Sequence, residues 1–187
     1  MATNDQRKTL NDALSATLSR TIDFLKFAET KNAALLTFAS AWLVALSNLL
    51  ASDHMHDRGP RIAVAASMLF FASAALTAIY SFLPRLKLGS FQRDPERQKS
   101  LLFFGDISEF EATAYAARFA ERYSGDAEQG ISSAYLHDLA VQVAANSVIT
   151  LHKFRVFNIG AVLVMVALLV LLGTAACLGY NHLWTTP

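Results

Sequence analysis

Cysteine is almost absent from this chain, because only Cys177 carries a thiol among 187 residues. A single thiol excludes an internal disulfide and any metal cluster built on several cysteines. A surplus of charge of one sign is also absent, since 16 Lys and Arg stand against 15 Asp and Glu. This balance indicates no global electrostatic attraction to nucleic acid, and we expect no nucleic-acid partner.

The signatures of catalysis are missing as well. The sequence has no Gly-x-Ser-x-Gly, no glycine-rich phosphate loop and no His-Glu-x-x-His, the patterns that position a nucleophile, a phosphate or a catalytic zinc ion. Asp53, His54, His56 and Asp57 have a spacing that could hold a metal, but His-x-His without a further partner is a weak signal. We interpret that segment as a solvated turn, and the sequence predicts neither an enzyme nor a cofactor.

Charged residues are missing from three long stretches, residues 32–52, 62–84 and 156–179. The chain as a whole is 53% hydrophobic, with a mean hydropathy of +0.33. About 20 apolar residues cross the hydrocarbon core of a bilayer as a helix, so each stretch is predicted to be a membrane span. Residues 53–61 are too polar to enter lipid, and residues 32–84 therefore form a transmembrane helical hairpin.

The segment before the hairpin, residues 1–31, has the pattern of an amphipathic helix. Apolar residues recur there at steps of four or three, which places them on one face; they are Leu10, Leu14, Leu18, Ile22, Leu25 and Ala28. No breaker separates this segment from the first span, so one helix should continue into it. We interpret the segment as a helix packed on the cytoplasmic part, and the alternative is a helix lying on the membrane surface.

The polar residues 85–155 predict a helical segment outside the membrane. Ser108 and Glu111 have the capping-box form, in which a helix starts after the serine, and this helix should end near Tyr123. A second helix begins near Ser132 or Ser133.

That second helix meets no breaker before the last apolar run. The third span, residues 156–180, should therefore be continuous with a long cytoplasmic helix, and residues 181–187 form a tail. The predicted fold is an all-α integral membrane protein made of an N-terminal amphipathic helix, a transmembrane hairpin, a cytoplasmic helical segment and this third span.

Lysine and arginine predict the orientation, because they are enriched in cytoplasmic loops. Fourteen of them lie before the hairpin or between the hairpin and the third span, whereas two lie in the hairpin turn. The N-terminus and residues 85–155 are therefore expected in the cytoplasm, and the C-terminus in the periplasm.

A polar stripe follows the helix that leads into the third span. Asp138, Gln142, Asn146 and Lys153 fall within about 80° of each other at ~100° per residue. Together these side chains offer hydrogen-bond donors, acceptors and one cation, which could bind a polar ligand such as a nucleobase with its phosphate. The alternative is a solvated or helix-packed polar face.

Several separated strings of the sequence stand out together. They are Phe27-Ala-Glu-Thr-Lys31, Pro84-Arg85, Leu102-Phe-Phe-Gly-Asp-Ile107, and Gln142 to Asn146-Ser147 to Lys153-Phe-Arg155. In their order and spacing they resemble one known family, the transmembrane effectors of Pycsar antiphage systems. The resemblance extends over residues 22–179. It implies an effector in the bacterial inner membrane that is paired with a pyrimidine nucleotide cyclase, with residues 85–155 as its cytoplasmic sensor segment. Cyclic UMP or cyclic CMP, made during infection, would bind the effector and trigger membrane impairment and death of the infected cell, and we expect a homo-oligomer.

Such a messenger is a small anion with a base edge, and six residues are candidates for binding it: Arg85, Gly105, Asp106, Gln142, Asn146 and Lys153. The two cations, and the amides that follow Gly105-Asp106 at a helix N-terminus, could meet the phosphate. The two amide side chains could hydrogen-bond the uracil or cytosine edge. For Gly105-Asp106 the alternative is a helix-entry turn with a capping role.

Two other functions stay open at this point. The layout of spans and cytoplasmic segment is also similar to effectors of neighbouring defence systems that respond to a cyclic oligonucleotide. A constitutive small membrane subunit that scaffolds or assists a transporter is the other alternative.

Overall fold

The computed structural model describes residues 4–52, 57–83, 101–102, 110–123 and 132–185. Four helices occupy these ranges: α1 (Asn4–Ala51), α2 (Arg58–Phe82), α3 (Ala112–Tyr123) and α4 (Ser133–Thr185), and no strand occurs in them. The predicted all-α fold is confirmed. Three of the helices, α1, α2 and α4, are long and apolar enough to cross a membrane by length and composition.

Helix α1 continues without a break from the polar N-terminal segment into the first apolar run, as predicted, over 48 residues. Its buried face is narrower than the sequence pattern indicated. Leu10 is 49% exposed and Ile22 is also exposed, whereas Thr21 and Ala28 are buried. The Thr21 hydroxyl donates to the Thr17 carbonyl at 2.9 Å, so the helix itself satisfies this buried polar group.

Helix α2 begins at Arg58 and so includes part of the polar segment 53–61 that separates the first two apolar runs. Gly59 and Pro60 lie inside the first turn of the helix. Proline is tolerated there because the first amides of a helix have no intrahelical acceptor, so its missing N–H removes no hydrogen bond. The helix ends at Phe82, and the Leu83 amide donates to the Tyr80 carbonyl at 3.3 Å.

Helix α3 starts later than the capping-box pattern predicts. Phe110 and Glu111 are not helical, and the Tyr115 amide donates to the Glu111 carbonyl at 2.8 Å, which makes Glu111 the residue that precedes the helix. The Phe110 ring packs on the Tyr115 ring at a centroid distance of 6.4 Å. This contact between the residue before the cap and the fourth helical residue is a hydrophobic staple. Ser108 lies outside the described residues.

Helix α4 begins where the sequence predicts. The Ser132 hydroxyl accepts a hydrogen bond from the Ala134 amide at 3.2 Å, which satisfies one of the free amides of the first turn. The helix then runs unbroken for 53 residues to Thr185. The predicted continuity between the helix that begins near Ser133 and the third apolar run is confirmed.

The chain divides into two compact units. The first combines Met1–Lys26 with Pro84–Leu151, and the second combines Phe27–Leu83 with His152–Pro187. We call the first the sensor unit, after the role that the family resemblance implies for residues 85–155, and the second the apolar-helix unit. The sensor unit thus brings the N-terminal part of α1 together with α3 and the first part of α4.

Small and aromatic side chains form the core of the apolar-helix unit. Ala39, Phe71, Ala74, Ala78 and Ala167 are fully buried. The Trp42 ring stacks on the Phe71 ring at 5.6 Å with an interplanar angle of 3°. The unit therefore joins α1, α2 and the second part of α4 in a tightly packed bundle.

A close helix contact in this bundle depends on Gly160 of α4. A Cβ atom placed on Gly160 would lie 2.5 Å from Leu35 Cδ2 and 2.8 Å from Thr77 Oγ1. Such distances are far below ordinary van der Waals contact, so only glycine lets α4 approach α1 and α2 this closely. By contrast, nothing lies within 4 Å of a Cβ placed on Gly173.

Candidate functional site

A group of polar side chains joins the three apolar helices at one end of their bundle. We call it the polar junction, and it consists of Glu29 and Asn32 of α1, Ser81 of α2 and Lys153 of α4. Lys153 Nζ lies 2.9 Å from Glu29 Oε1 and donates to the Ser81 carbonyl at 3.2 Å. One ammonium group therefore contacts both other helices. The Lys153 side chain is only 12% exposed, whereas that of Glu29 is 47% exposed.

Asn32 forms the second link of the polar junction, and it is fully buried. Its Nδ2 donates to the Ala28 carbonyl at 2.9 Å and to the Lys153 carbonyl at 3.4 Å. Two other buried atoms, Asn32 Oδ1 and Ser81 Oγ, have no hydrogen-bond partner within the described residues. An unpaired buried polar group costs about 1–3 kcal/mol, so the junction is held together yet incompletely satisfied.

Aromatic rings surround a second lysine of the same unit. Lys31 Nζ lies 4.7 Å from the Phe27 ring centroid, 5.8 Å from that of Phe154 and 5.2 Å from that of Phe157. Lysine over an aromatic face is attracted by the negative face of the ring. Lys31 therefore adds a further contact between α1 and α4 beside the polar junction.

In the sensor unit, Asp138 is the centre of the interactions that join α3 to α4. Its carboxylate accepts from Arg122 Nη2 at 3.0 Å and from the Tyr123 hydroxyl at 2.5 Å, and the side chain is 4% exposed. Burial, and then the hydrogen bond to Asp138, raise the pKa of Tyr123 well above its ordinary value. The tyrosine therefore stays a protonated donor.

A row of aromatic rings continues from this carboxylate along α3. The Tyr123 ring packs on Phe119 at 4.7 Å and on Tyr135 of α4 at 5.6 Å, and Phe119 packs on Tyr115 at 5.7 Å. The Tyr115 hydroxyl donates to the Leu101 carbonyl at 3.0 Å. These contacts fix the short α3 against α4, which is the helix that carries three of the six predicted ligand residues.

The predicted polar stripe divides between different environments. Asp138 packs on α3, which agrees with the helix-packed alternative for that residue. Gln142 and Asn146 lie in the sensor unit, where Asn146 Nδ2 donates to the Gln142 carbonyl at 2.9 Å. Gln142 Nε2 is buried without a partner among the described residues, so this amide is left with an unused donor.

Of the other predicted ligand residues, only Lys153 lies within the described residues. Lys153 belongs to the apolar-helix unit, where Glu29 and Ser81 occupy its ammonium group. A ligand phosphate on Lys153 would therefore have to share the ammonium group with the Glu29 carboxylate or replace it, and phosphate binding by Lys153 stays a prediction. Arg85, Gly105 and Asp106 lie outside the described residues, as do His54 and His56 of the turn.

Sequence reasoning missed three of the four members of the polar junction. Glu29 and Asn32 lie just before and at the start of an uncharged run, and Ser81 lies near the end of another. The available signal was their shared position at the boundary between polar and apolar sequence. Their convergence depends on how the helices pack, which the sequence pattern does not contain.

The described ranges contain three helices that are long and apolar enough to cross a membrane, and they contain no strand. By length and composition, the chain therefore falls in the class of helical membrane proteins. Comparison with known proteins then gives the family. Residues 13–180 match the PycTM family, described as the Pycsar effector protein domain. The chain is 40% identical over 154 residues to the Pycsar effector protein RsPycTM of a Rhizobium species, an alignment that covers 82% of this chain and 87% of that protein. The chain belongs to the PycTM family of Pycsar effectors. No solved structure matches it.

Proposed function

We propose that this protein is an antiphage effector that a cyclic pyrimidine mononucleotide, cyclic UMP or cyclic CMP, activates to impair the bacterial inner membrane. The observation that carries the proposal is membership of the Pycsar effector family across most of the chain. The three long apolar helices support action at the membrane rather than on a soluble target. Death of the infected cell before phage release would follow from the loss of membrane integrity.

The effector works without catalysis in this proposal. A cyclase encoded with it supplies the messenger, and binding alone changes the arrangement of the helices. A ligand shifts such an equilibrium only by the difference in its affinity for the two arrangements. Several copies then act together as a homo-oligomer, because the three apolar helices of one copy are too few to surround a pore through the bilayer.

The messenger is read in the sensor unit. Gln142 supports this assignment, because its buried donor Nε2 has no partner among the described residues, and a base edge offers acceptors for it. Asn146 lies one helical turn further along α4 and offers an amide of the same kind. Arg85 and the amides after Gly105-Asp106 are the proposed contacts to the phosphate, and all of these positions fall within Pro84–Leu151 of the sensor unit.

A binding experiment tests the messenger. Purified protein in detergent is titrated with cyclic UMP, cyclic CMP and a cyclic oligonucleotide, with heat of binding as the readout. Saturable binding of one cyclic pyrimidine, and release of dye from liposomes containing the protein at the same concentration, is the expected result. Binding of the cyclic oligonucleotide alone would instead support the effector of a neighbouring system, and no binding at all would support a constitutive scaffold.

Substitutions test the residues that are proposed to bind the base of the messenger. Gln142→Ala and Asn146→Ala should each weaken binding about 5- to 30-fold, since one hydrogen bond to a ligand contributes on the order of 1–2 kcal/mol. Ser147→Ala is the matched control, because its exposed hydroxyl bonds only its own helix, at the Val143 carbonyl. Unchanged affinity in both amide variants and in Arg85→Ala would place the messenger elsewhere.

A further inference from the structure

We infer that the ion pair between Glu29 and Lys153 is the contact that holds the three apolar helices in their packed arrangement, and that separating this pair is the step that activates the membrane part. This inference rests on the proposed function, because it presumes that the packed bundle changes when the effector acts. It adds a regulatory contact in the apolar-helix unit, and it gives a second role to Lys153, which the sequence also offers as a phosphate ligand.

The packed arrangement is a closed one. Phe71, Ala74, Ala78 and Ala167 are fully buried, and Gly160 allows α4 to contact side chains of α1 and α2 directly. A core in which side chains touch at this density leaves no path for ions or solutes between the three helices. Impairing a membrane therefore requires this bundle to move apart or to change partners.

The two members of the pair differ in exposure, and this difference makes the pair suitable as a switch. Glu29 is 47% exposed and can return to water, whereas Lys153 is 12% exposed and would be left without its counter-charge in a poorly hydrated place. An unpaired buried cation is strongly disfavoured. Separation of the pair therefore forces Lys153 to move, and because Lys153 also bonds the Ser81 carbonyl, its contact with α2 is lost in the same movement.

The edge of the polar junction is weakly bonded in the packed arrangement. Asn32 links α1 to the Lys153 carbonyl, but with a long hydrogen bond of 3.4 Å. The unpaired atoms Asn32 Oδ1 and Ser81 Oγ would gain partners in a more hydrated arrangement. The junction thus has an ion pair at its centre and polar atoms without hydrogen-bond partners at its edge. A ligand of ordinary affinity can shift the helices out of such an arrangement, whereas a junction with every polar atom bonded would resist the shift.

The test measures dye release from liposomes that contain the full chain, first without any nucleotide. Glu29→Gln keeps the size of the side chain and removes the charge, and it should raise the spontaneous release rate about tenfold, within the usual range of a coupling between two states. Lys153→Gln should do the same. The exchanged variant Glu29→Lys with Lys153→Glu restores an opposite pair, but its carboxylate cannot donate to the Ser81 carbonyl. Its release rate should therefore fall below that of either single variant without returning fully to that of the parent protein.

The matched control is Asp23→Asn. Asp23 forms an ion pair on the same helix with Lys26 at 3.5 Å, but both side chains are about 70% exposed, so its loss should leave the release rate unchanged. Glu29→Asp provides a milder variant should Glu29→Gln fail to accumulate. Aspartate keeps the negative charge on a shorter side chain, so Glu29→Asp should raise the spontaneous release rate less than Glu29→Gln does.

The outcomes separate this inference from the proposed function. Equal spontaneous release in the parent protein and in all folded pair variants would overturn the role of the pair. A higher nucleotide requirement in Glu29→Gln would overturn it too, because the pair would then stabilise the active arrangement. Leaky pair variants together with a parent protein that ignores every cyclic nucleotide would support the pair and reject the messenger.

Discussion

Buried polar side chains connect helices within each of the two units. Asp138 holds α3 to α4 through Arg122 and Tyr123, and Lys153 holds α4 to α1 and α2 through Glu29 and Ser81. Each is a charged group with low exposure and hydrogen-bonded partners, the condition under which such a group is tolerated. At both positions a single substitution is expected to act on the contact between two helices.

Tyr123→Phe should lower the thermal stability of the detergent-solubilised protein. The change removes the hydroxyl that donates to Asp138 Oδ2 at 2.5 Å, and a lost bond to a buried carboxylate costs about 1–3 kcal/mol. Circular dichroism at 222 nm follows the loss of helix on heating. Tyr135→Phe is the control, since its ring contact with Tyr123 is kept. Equal melting temperatures in both variants would contradict the role given to the hydroxyl.

The raised pKa of Tyr123 gives this contact a defined pH dependence. The unfolded tyrosine loses its proton near pH 10, while the folded one keeps it to higher pH. The stabilisation is therefore fully present below about pH 10 and is lost as the pH rises further. Melting curves at pH 8 and pH 10.5 should diverge more for the parent protein than for Tyr123→Phe, and equal divergence would contradict this linkage.

Cys177→Ala is expected to leave messenger-induced toxicity unchanged at equal accumulation of the protein. Cys177 is exposed on α4 and forms no disulfide. In the proposed topology its surroundings are lipid, where a thiol has little tendency to become the reactive thiolate. Survival of cells with an induced cyclase measures the effect. A clear loss of toxicity would assign the thiol a function.

The ends of the helices show how local contacts set their boundaries. Helix α2 takes Gly59 and Pro60 into its first turn, although both residues are typical of turns. Helix α3 begins only at Ala112, where Phe110 and Tyr115 form a staple across its start. The start of α3 therefore follows from a packing contact between residues five apart, which the capping-box pattern does not contain.

Gly160→Ala should destabilise the contact of α4 with α1 and α2. The added methyl group would press on Leu35 Cδ2 and Thr77 Oγ1 at distances no real Cβ contact shows, and overpacking of this kind costs about 1–3 kcal/mol. Gly173→Ala adds the same methyl group where nothing lies within 4 Å. A lower melting temperature is expected for the first variant only, and equal melting temperatures would contradict the close approach of the helices.

For the whole molecule, the distribution of lysine and arginine predicts the N-terminus in the cytoplasm and the C-terminus in the periplasm. A phosphatase reporter fused after Pro187 should therefore be active, and a fluorescent protein that folds only in the cytoplasm should fluoresce when fused before Met1. The reciprocal fusions serve as controls. Fluorescence of the cytoplasmic reporter at the C-terminus would reject the arrangement with three spans.

The long helices, their apolar character and the family could all be predicted from the order of the amino acids. Charge-free runs of about 20 residues need internally satisfied backbones, so α1, α2 and α4 followed from composition. The unbroken passage from polar to apolar sequence at Lys31 and at Arg155 followed from the absence of glycine and proline there. These properties are local, and a one-dimensional pattern contains them.

Which polar residues meet could not be predicted in this way, because it depends on the packing of the helices. Lys153 belongs to the same sequence stripe as Gln142, yet its ammonium group contacts Glu29, which is 124 residues away in the chain. Asn32 and Ser81 have no special sequence pattern, and they matter because α1 and α2 bring them to the same end of the bundle. A helix fixes which residues share a face, but packing against its neighbours fixes what that face touches.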